Sequence, residues 1–423
     1  MEPSRASTGA RPAGGSRPVV DEELEEQIRN AWASLLGSAD AIADDIALTL
    51  LEKDREWYDK AGPELRADVR SNTREHVRRG IRTMAGIADP EERAVHVWRD
   101  TGRRRARQGV PMELVLNAYS LGTRVLWEAL LEQSRADRLH VDDHVLLMAG
   151  QRVWNALDVQ NATLVESYRR ESARLQRRDL QRQQSFLDGL VEGRGADPGF
   201  ASEARDILGV GVDEPVACVV APFDGALDEP LRAPEDRLER AGVVSHWHVR
   251  GGTYFGLVAT GEHGVRQTVT LLEPCVAGRV GVAPSAEGVA GFATAYQLAA
   301  RAAETVPRGA QQLVSVTERL PEVLLSGSPE VTSVLLSVTV GPVLALPPQQ
   351  ADVLLETLGA LVDHNGSPTH AAEALFCHRN TVIYRLKQIE ALTGRSLADA
   401  RDRLLLALGL VAVGARRAAD ADG

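Results

Sequence analysis

Two long stretches of helical periodicity flank about 120 residues in which the apolar pattern switches to short β-branched runs. This change of period constrains the fold of the 423-residue chain more than any other feature. From Asp21 to about Tyr168 the pattern is helical almost throughout. DEELEEQIRNAWASLL places acids near a helix N-terminus, where the dipole favours them, and then brings Ile28, Trp32 and Leu35–Leu36 to one face. Gly62–Pro63, Ala88–Asp89–Pro90 and Gly109–Pro111 punctuate the run, and no strand signal competes. An all-α bundle is predicted. Residues 169–192 follow as a charged helix with few apolar positions, expected to be a solvated linker.

After Gly193 the texture changes. PVACVVAPF reads as a buried strand, and VVSHWHVRGGTYFGLVATG as two strands across a Gly-Gly turn. GRVGVAPS follows as another strand and GVAGFATAYQLAARAAETV as an amphipathic helix. Alternating strands and helices over residues 193–318 predict a compact α/β domain. A helical connector over 319–350 ends at Pro347–Pro348, and helices resume over 351–414. Residues 1–20, rich in Gly, Pro, Ser and Arg, are expected to be a disordered tail, with a second tail at 415–423.

The net charge of −11 argues against a general polyanion binder, although the field that matters to a ligand is local. With 4% aromatic residues, no surface for stacking single-stranded nucleic acid is expected. The three cysteines lie far apart, which fits neither a disulfide framework nor a zinc site. No apolar run is long enough to span a membrane, and a cytoplasmic location is expected.

One segment reverses the charge of its surroundings. ADVLLETLGALVDHNGS predicts a helix stopped near Asn365–Gly366, and SPTHAAEALF a short second helix capped by Ser367 with Pro368 in its first turn. CHRN then leads into a third helix, TVIYRLKQIEAL, which gives helix-turn-helix order. At about 100° per residue, Val382, Leu386 and Ile389 share one side with Ile383 at its edge. Thr381, Tyr384, Lys387 and Gln388 take the other side, with Arg385 on the flank. From Phe376 to Lys387 there are Arg379, Arg385 and Lys387 and no acid. Such a face can read DNA, with His378, Arg379 and Asn380 at a helix N-terminus suited to phosphate. It can equally be a solvated face, with Asn380 or His378 serving as the N-cap and Arg385 paired to Glu373 or Glu390.

HRNTVIYRLKQIEALTGRSLADARDRLLLALGLVA resembles the C-terminal helix-turn-helix of the PucR/CdaR family of transcriptional regulators, and the similarity begins upstream at LLETLGALVDHNGSPTHAAEALFCHRNT. The resemblance implies a Fis-like DNA-binding domain with His378, Arg379, Asn380, Thr381, Tyr384 and Arg385 as contacts and Lys387 on phosphate. Cys377 stands where the family usually has an aliphatic residue, and a small packed hydrophobe is expected there. RGGTYFGLVA and GRVGVAPSAEGVAGFATAYQLAARAAETV resemble the GGDEF-like domain of CdaR-type regulators. Thr253 and Tyr254 occupy the positions where a nucleotide cyclase of that fold needs carboxylates for metal, so catalysis is not expected. Asp224 is left as a lone carboxylate and is read as a turn residue. RRRARQGVPMELVLNAYSLGTRVLWEAL resembles the helical sensor domain of stressosome RsbR-type proteins, which implies a globin-like, dimeric bundle without haem. His76 and His96 could be nominated as haem ligands, but polar surface or satisfied core positions are expected for them. The basic run Arg103–Arg104–Arg105 with Arg107 is expected to form a solvated face or salt bridges.

The sequence therefore predicts a multidomain, mainly α protein: a globin-like all-α bundle (21–168), an α/β GGDEF-like domain and a helix-turn-helix. A sensed signal would control binding to double-stranded operator DNA. A homodimer or higher homo-oligomer and an unidentified small-molecule or protein effector are expected, with no cofactor, metal, membrane contact or enzymatic activity. The competing readings are a stressosome-like protein-interaction regulator that does not bind DNA and a nucleotide-binding enzyme of GGDEF fold.

Overall fold

The computed structural model describes residues 19–88, 94–135, 142–225, 229–261 and 264–420. The tail expected over residues 1–20 falls almost wholly outside them. The chain divides into two compact units, residues 1–178 and 179–423. Among the described residues, no helix is long and apolar enough to cross a membrane.

The first unit is all helix: α1 (Val19–Ala33), α2 (Ala39–Lys53), α3 (Arg55–Ala61), α4 (Pro63–Met84), α5 (Ala94–Arg107), α6 (Met112–Arg135) and the start of α7 (Asp143–Val191). Gly62, at φ 93°, ends α3, and Pro63 opens α4 where a missing N–H leaves nothing unpaired. The helical periodicity of the sequence becomes a core of Trp32, Leu35, Ile46, Ile81 and Leu130. Burying each such side chain contributes about 1.5–3 kcal/mol. A second cluster holds Tyr58, Val69, Val115 and Leu164. The arginine run on α5 is spent on pairing within the bundle. Arg104 donates to Asn72 at 2.9 Å, Arg105 to Asp68 at 2.6 Å and Arg107 to Glu171 at 2.7 Å. His76 on α4 is likewise satisfied: Tyr119 lies 3.0 Å from Nδ1 and Thr101 3.2 Å from Nε2. His96 is exposed.

The expected linker is not a separate element. α7 runs unbroken through residues 169–191. Its last turns are apolar on one face, and Leu187 and Leu190 are buried in the core of the α/β domain.

The second unit continues with α8 (Pro198–Leu208), β1 (Val216–Pro222), α9 (Pro234–Arg240), β2 (Ser245–Arg250), β3 (Thr253–Ala259), α10 (Gly264–Leu272), β4 (Arg279–Ser285), α11 (Phe292–Glu304) and β5 (Gln312–Ser315). The five strands form one mixed sheet, ordered β2-β3-β1-β4-β5. β1 lies at its centre, antiparallel to β3 and β4, and is buried on both faces, as its unbroken apolar run requires. β2 and β3 form the expected hairpin, with Arg250 opposite Thr253. The two-residue turn needs φ > 0 twice, which Gly251 (55°) and Gly252 (77°) supply without strain. β4 and β5 are parallel and joined through α11. That helix lies so close to β4 that a Cβ on Gly281 would sit 1.9 Å from the Ala299 carbonyl oxygen. Cys218 and Cys275 are buried and unpaired.

α12 (Leu320–Ser326), α13 (Pro329–Val338) and α14 (Gly341–Leu344) occupy the connector. Its end is not a free tether, because Val340 and Val343 are fully buried in the C-terminal core. There follow α15 (Pro348–Asp363), α16 (Pro368–Ala374), α17 (Arg379–Thr393) and α18 (Ala400–Asp420), the last continuing beyond its predicted end at Gly414.

Candidate DNA-binding site

α15, α16 and α17 pack around Leu354, Leu358, Ala371, Ala372, Val382 and Ile389. The small Ala371 and Ala372 let α16 cross its neighbours closely. α15 stops where predicted, at Asn365 (φ 52°) and Gly366 (φ 77°). Ser367 caps α16, its side chain accepting from the His370 N–H at 3.5 Å. The turn into α17 is closed by a bond from the Cys377 N–H to the Ala372 carbonyl at 3.0 Å. It sends Phe376 into the left-handed region at φ 51°. Cys377 packs against the core, as a small hydrophobe would.

The cap of α17 is His378. Its backbone is extended, and its Nδ1 accepts from the Asn380 N–H at 3.2 Å. An accepting Nδ1 places the ring proton on Nε2, so an exposed N–H donor faces outward. Asn380 is thereby left in the first turn with its own side chain exposed, beside exposed Arg379. The angular division of α17 is realised: Val382 and Ile389 are fully buried and Leu386 packs beside them. On the opposite side Tyr384 is 69% exposed and Lys387 is exposed, while Thr381 is half-buried.

Arg385 behaves differently from the other nominated residues. It is half-buried, and its Nη1 donates to Thr357 of α15 at 3.3 Å, not to Glu373 or Glu390. Glu390 instead accepts from Ser396 at 2.7 Å. The acid-free outward face therefore brings together His378, Arg379, Asn380, Tyr384 and Lys387, with Thr381 at its edge and Arg385 tied back to the scaffold.

Two features escaped sequence reasoning. Phe376, two residues before the cap, is 97% exposed, an apolar side chain held outward by the turn. Its position just past the α16 stripe was the available signal, but only a left-handed backbone at that residue turns it to solvent. The second is the anchor behind α17. Gly394 (φ 65°) ends the helix, and Arg395 then donates to the Val338 carbonyl at 2.8 Å and to Asp402 at 2.7 Å. Asp402 also accepts from the Ser396 N–H, which with Arg395 holds its carboxyl below the usual range.

The Gly-Gly hairpin of the α/β domain is furnished differently from a metal site. Both oxygens of Asp224 lie against the Arg279 guanidinium, with Nε at 2.9 and 3.1 Å. That contact holds the carboxyl below its ordinary range. The Tyr254 hydroxyl donates to Glu235, and Phe255 is fully buried. Arg250 pairs with Asp188 at 3.2 Å and Glu192 at 3.0 Å. Among the described residues, no group of three or more His, Cys, Asp or Glu side chains could hold a metal ion.

A helical bundle, a five-stranded α/β domain and a three-helix head with a cationic second helix of the turn define a multidomain helix-turn-helix protein. Residues 40–183 match the RsbT co-antagonist protein rsbRD N-terminal domain, residues 192–305 the GGDEF-like domain and residues 354–412 the PucR C-terminal helix-turn-helix domain. The three matched domains follow one another in this order along the chain. It is 48% identical over 58 residues to the carbohydrate diacid regulator of Escherichia coli (strain K12), covering 14% of this chain and 15% of that protein. It is 40% identical over 67 residues to the purine catabolism regulatory protein of Bacillus subtilis (strain 168), covering 16% and 13%. The chain thus spans about one seventh of the length of these relatives. A crystal structure of a regulator of polyketide synthase expression from Bifidobacterium adolescentis aligns with 55% of this chain and 98% of its own, at 21% identity and a TM-score of 0.29.

Proposed function

We propose that this protein is a DNA-binding transcriptional regulator that acts in the cytoplasm, with α17 as the recognition helix. The observation that carries this reading is the outward face of α17. Exposed Arg379, Tyr384 and Lys387 stand on a helix whose N-terminal turn is free of acids, in a chain of net charge −11. Such a helix enters the major groove with its N-terminal side chains first. The His378 Nε2–H, Arg379 and Asn380 then reach phosphates or base edges, Tyr384 follows on the same face, and Lys387 meets the backbone. Arg385 sets the pose of the helix through Thr357 and touches DNA only if that bond opens.

One recognition helix makes few contacts, so useful affinity calls for two in a homodimer or larger assembly. A signal received by the N-terminal or central domain would alter the spacing of the two heads and so operator binding. The central domain serves this transmission without turning over nucleotide. Thr253 and Tyr254 supply no charge for Mg²⁺, and Arg279 neutralises the Asp224 carboxylate just past the end of β1.

Footprinting of the purified chain on genomic fragments tests the reading. A discrete protected operator is expected, lost on Arg379→Ala with Tyr384→Ala while the circular dichroism spectrum is unchanged. Undiminished protection by the double variant would overturn the assignment of this face.

A further inference from the structure

The N-terminal bundle holds a partly open cavity of about 190 Å³, larger than the roughly 150 Å³ at which an apolar cavity takes up benzene. Its walls come from all seven helices of the bundle, among them Trp32 on α1, Ile46 on α2, His76 on α4, Tyr119 on α6 and Val153 on α7. Most of the wall is aliphatic or aromatic. Its polar members include Asn72, Thr123, Gln160 and His76, and the two ring nitrogens of His76 are engaged by Tyr119 and Thr101. Burial, reinforced by nearby Arg104, Arg105 and Arg79, holds the imidazole neutral, with a pKa down at about 4. Arg79 and Arg105 also line the space, but their charges are met by Glu75 and Asp68.

One wall group is left over. Trp32 is 1% exposed, and its indole N–H is buried without an acceptor. Among the described residues only one other buried side-chain polar atom is orphaned, Asn161 Oδ1, which does not line the cavity. A buried donor with no partner is unfavourable, and an acceptor brought by a ligand relieves it. The space is too small for a porphyrin and large enough for one substituted ring. A charged ligand would lose its hydration with no unpaired countercharge to meet it.

We propose that this cavity is the effector site of the protein, and that it takes an uncharged, largely apolar molecule of about ten non-hydrogen atoms carrying one hydrogen-bond acceptor for the Trp32 N–H. The ligand class follows from three independent features: volume, a predominantly apolar wall and a single orphaned donor. The link from binding to regulation rests on the function proposed above, whereas binding itself does not.

Titration of the full-length chain by calorimetry without DNA keeps the two apart. Acetophenone, a ring with one carbonyl acceptor, is the probe; cumene matches its size and lacks the acceptor, and benzoate carries a charge. Saturable one-to-one binding of acetophenone is expected, at least tenfold tighter than that of cumene or benzoate. Trp32→Phe should erase the advantage over cumene, and Ala118→Phe, which places a ring in the cavity, should abolish binding. Lack of saturable acetophenone binding would overturn the proposal, as would equal affinity for cumene or an advantage that survives Trp32→Phe. If Ala118→Phe does not fold, the Trp32→Phe comparison still decides. A change in operator footprint on adding acetophenone would then join the two readings. Binding without such a change would leave the ligand site standing and count against its regulatory role.

Discussion

At the scale of single residues, His76 and Gly281 show how local chemistry sets stability. The imidazole of His76 titrates near 4 in the folded bundle and near 6.5 in an unfolded chain, so the unfolded state binds more protons between these values. Its contribution is complete above about pH 6.5 and is lost as pH falls towards 4, amounting to about 2–3 kcal/mol. Chemical denaturation of the chain between pH 7.5 and 4.5 should show this loss, and His76→Gln should flatten it. Gly281 is a steric requirement. A Cβ there would meet the Ala299 carbonyl at 1.9 Å and the Ala303 nitrogen at 2.6 Å, both backbone atoms. Gly281→Val should therefore destabilise the α/β domain by about 2–3 kcal/mol or more, read as a lower denaturation midpoint. The sequence showed a strand around Gly281 but gave no sign of what would lie across it.

At the scale of the element, α17 was the most legible part of the protein. Its buried seam and its polar face follow from helical spacing alone, and Val382 and Ile389 are fully buried as that spacing requires. The choice between His378 and Asn380 as the cap was not legible, because both are polar and adjacent. It is settled by the extended backbone at His378, which aims Nδ1 at the Asn380 N–H. His378→Ala should lower the stability of the head by about 0.5–1 kcal/mol and weaken DNA binding, whereas Asn380→Ala should weaken binding alone. Thermal melts paired with gel-shift titrations separate the two. Lys387→Ala should weaken binding to all sequences about equally and reduce the slope of log K against log salt by roughly 1. Arg385→Ala tests the pose: Thr357 lies in the scaffold, so loss of their bond should change affinity together with the melting temperature.

At the scale of the whole molecule, the prediction concerns assembly. If two heads read one operator, the footprint should show two half-sites separated by 10–10.5 base pairs or a multiple of that spacing. Sedimentation of the chain alone should then give an even number of protomers. Helical periodicity, Gly-Gly, Asn-Gly and Pro-Pro punctuation and the apolar run of β1 determined the order of bundle, sheet and head, because these signals act over a few residues. Only the tertiary structure decided the rest, since each remaining feature joins residues far apart in the chain. It carried α7 unbroken from the bundle into the α/β core, paired Arg279 with Asp224, and buried the end of the connector against the head. It also left a cavity with an unmet indole donor, because the helices that enclose Trp32 supply no acceptor for its N–H.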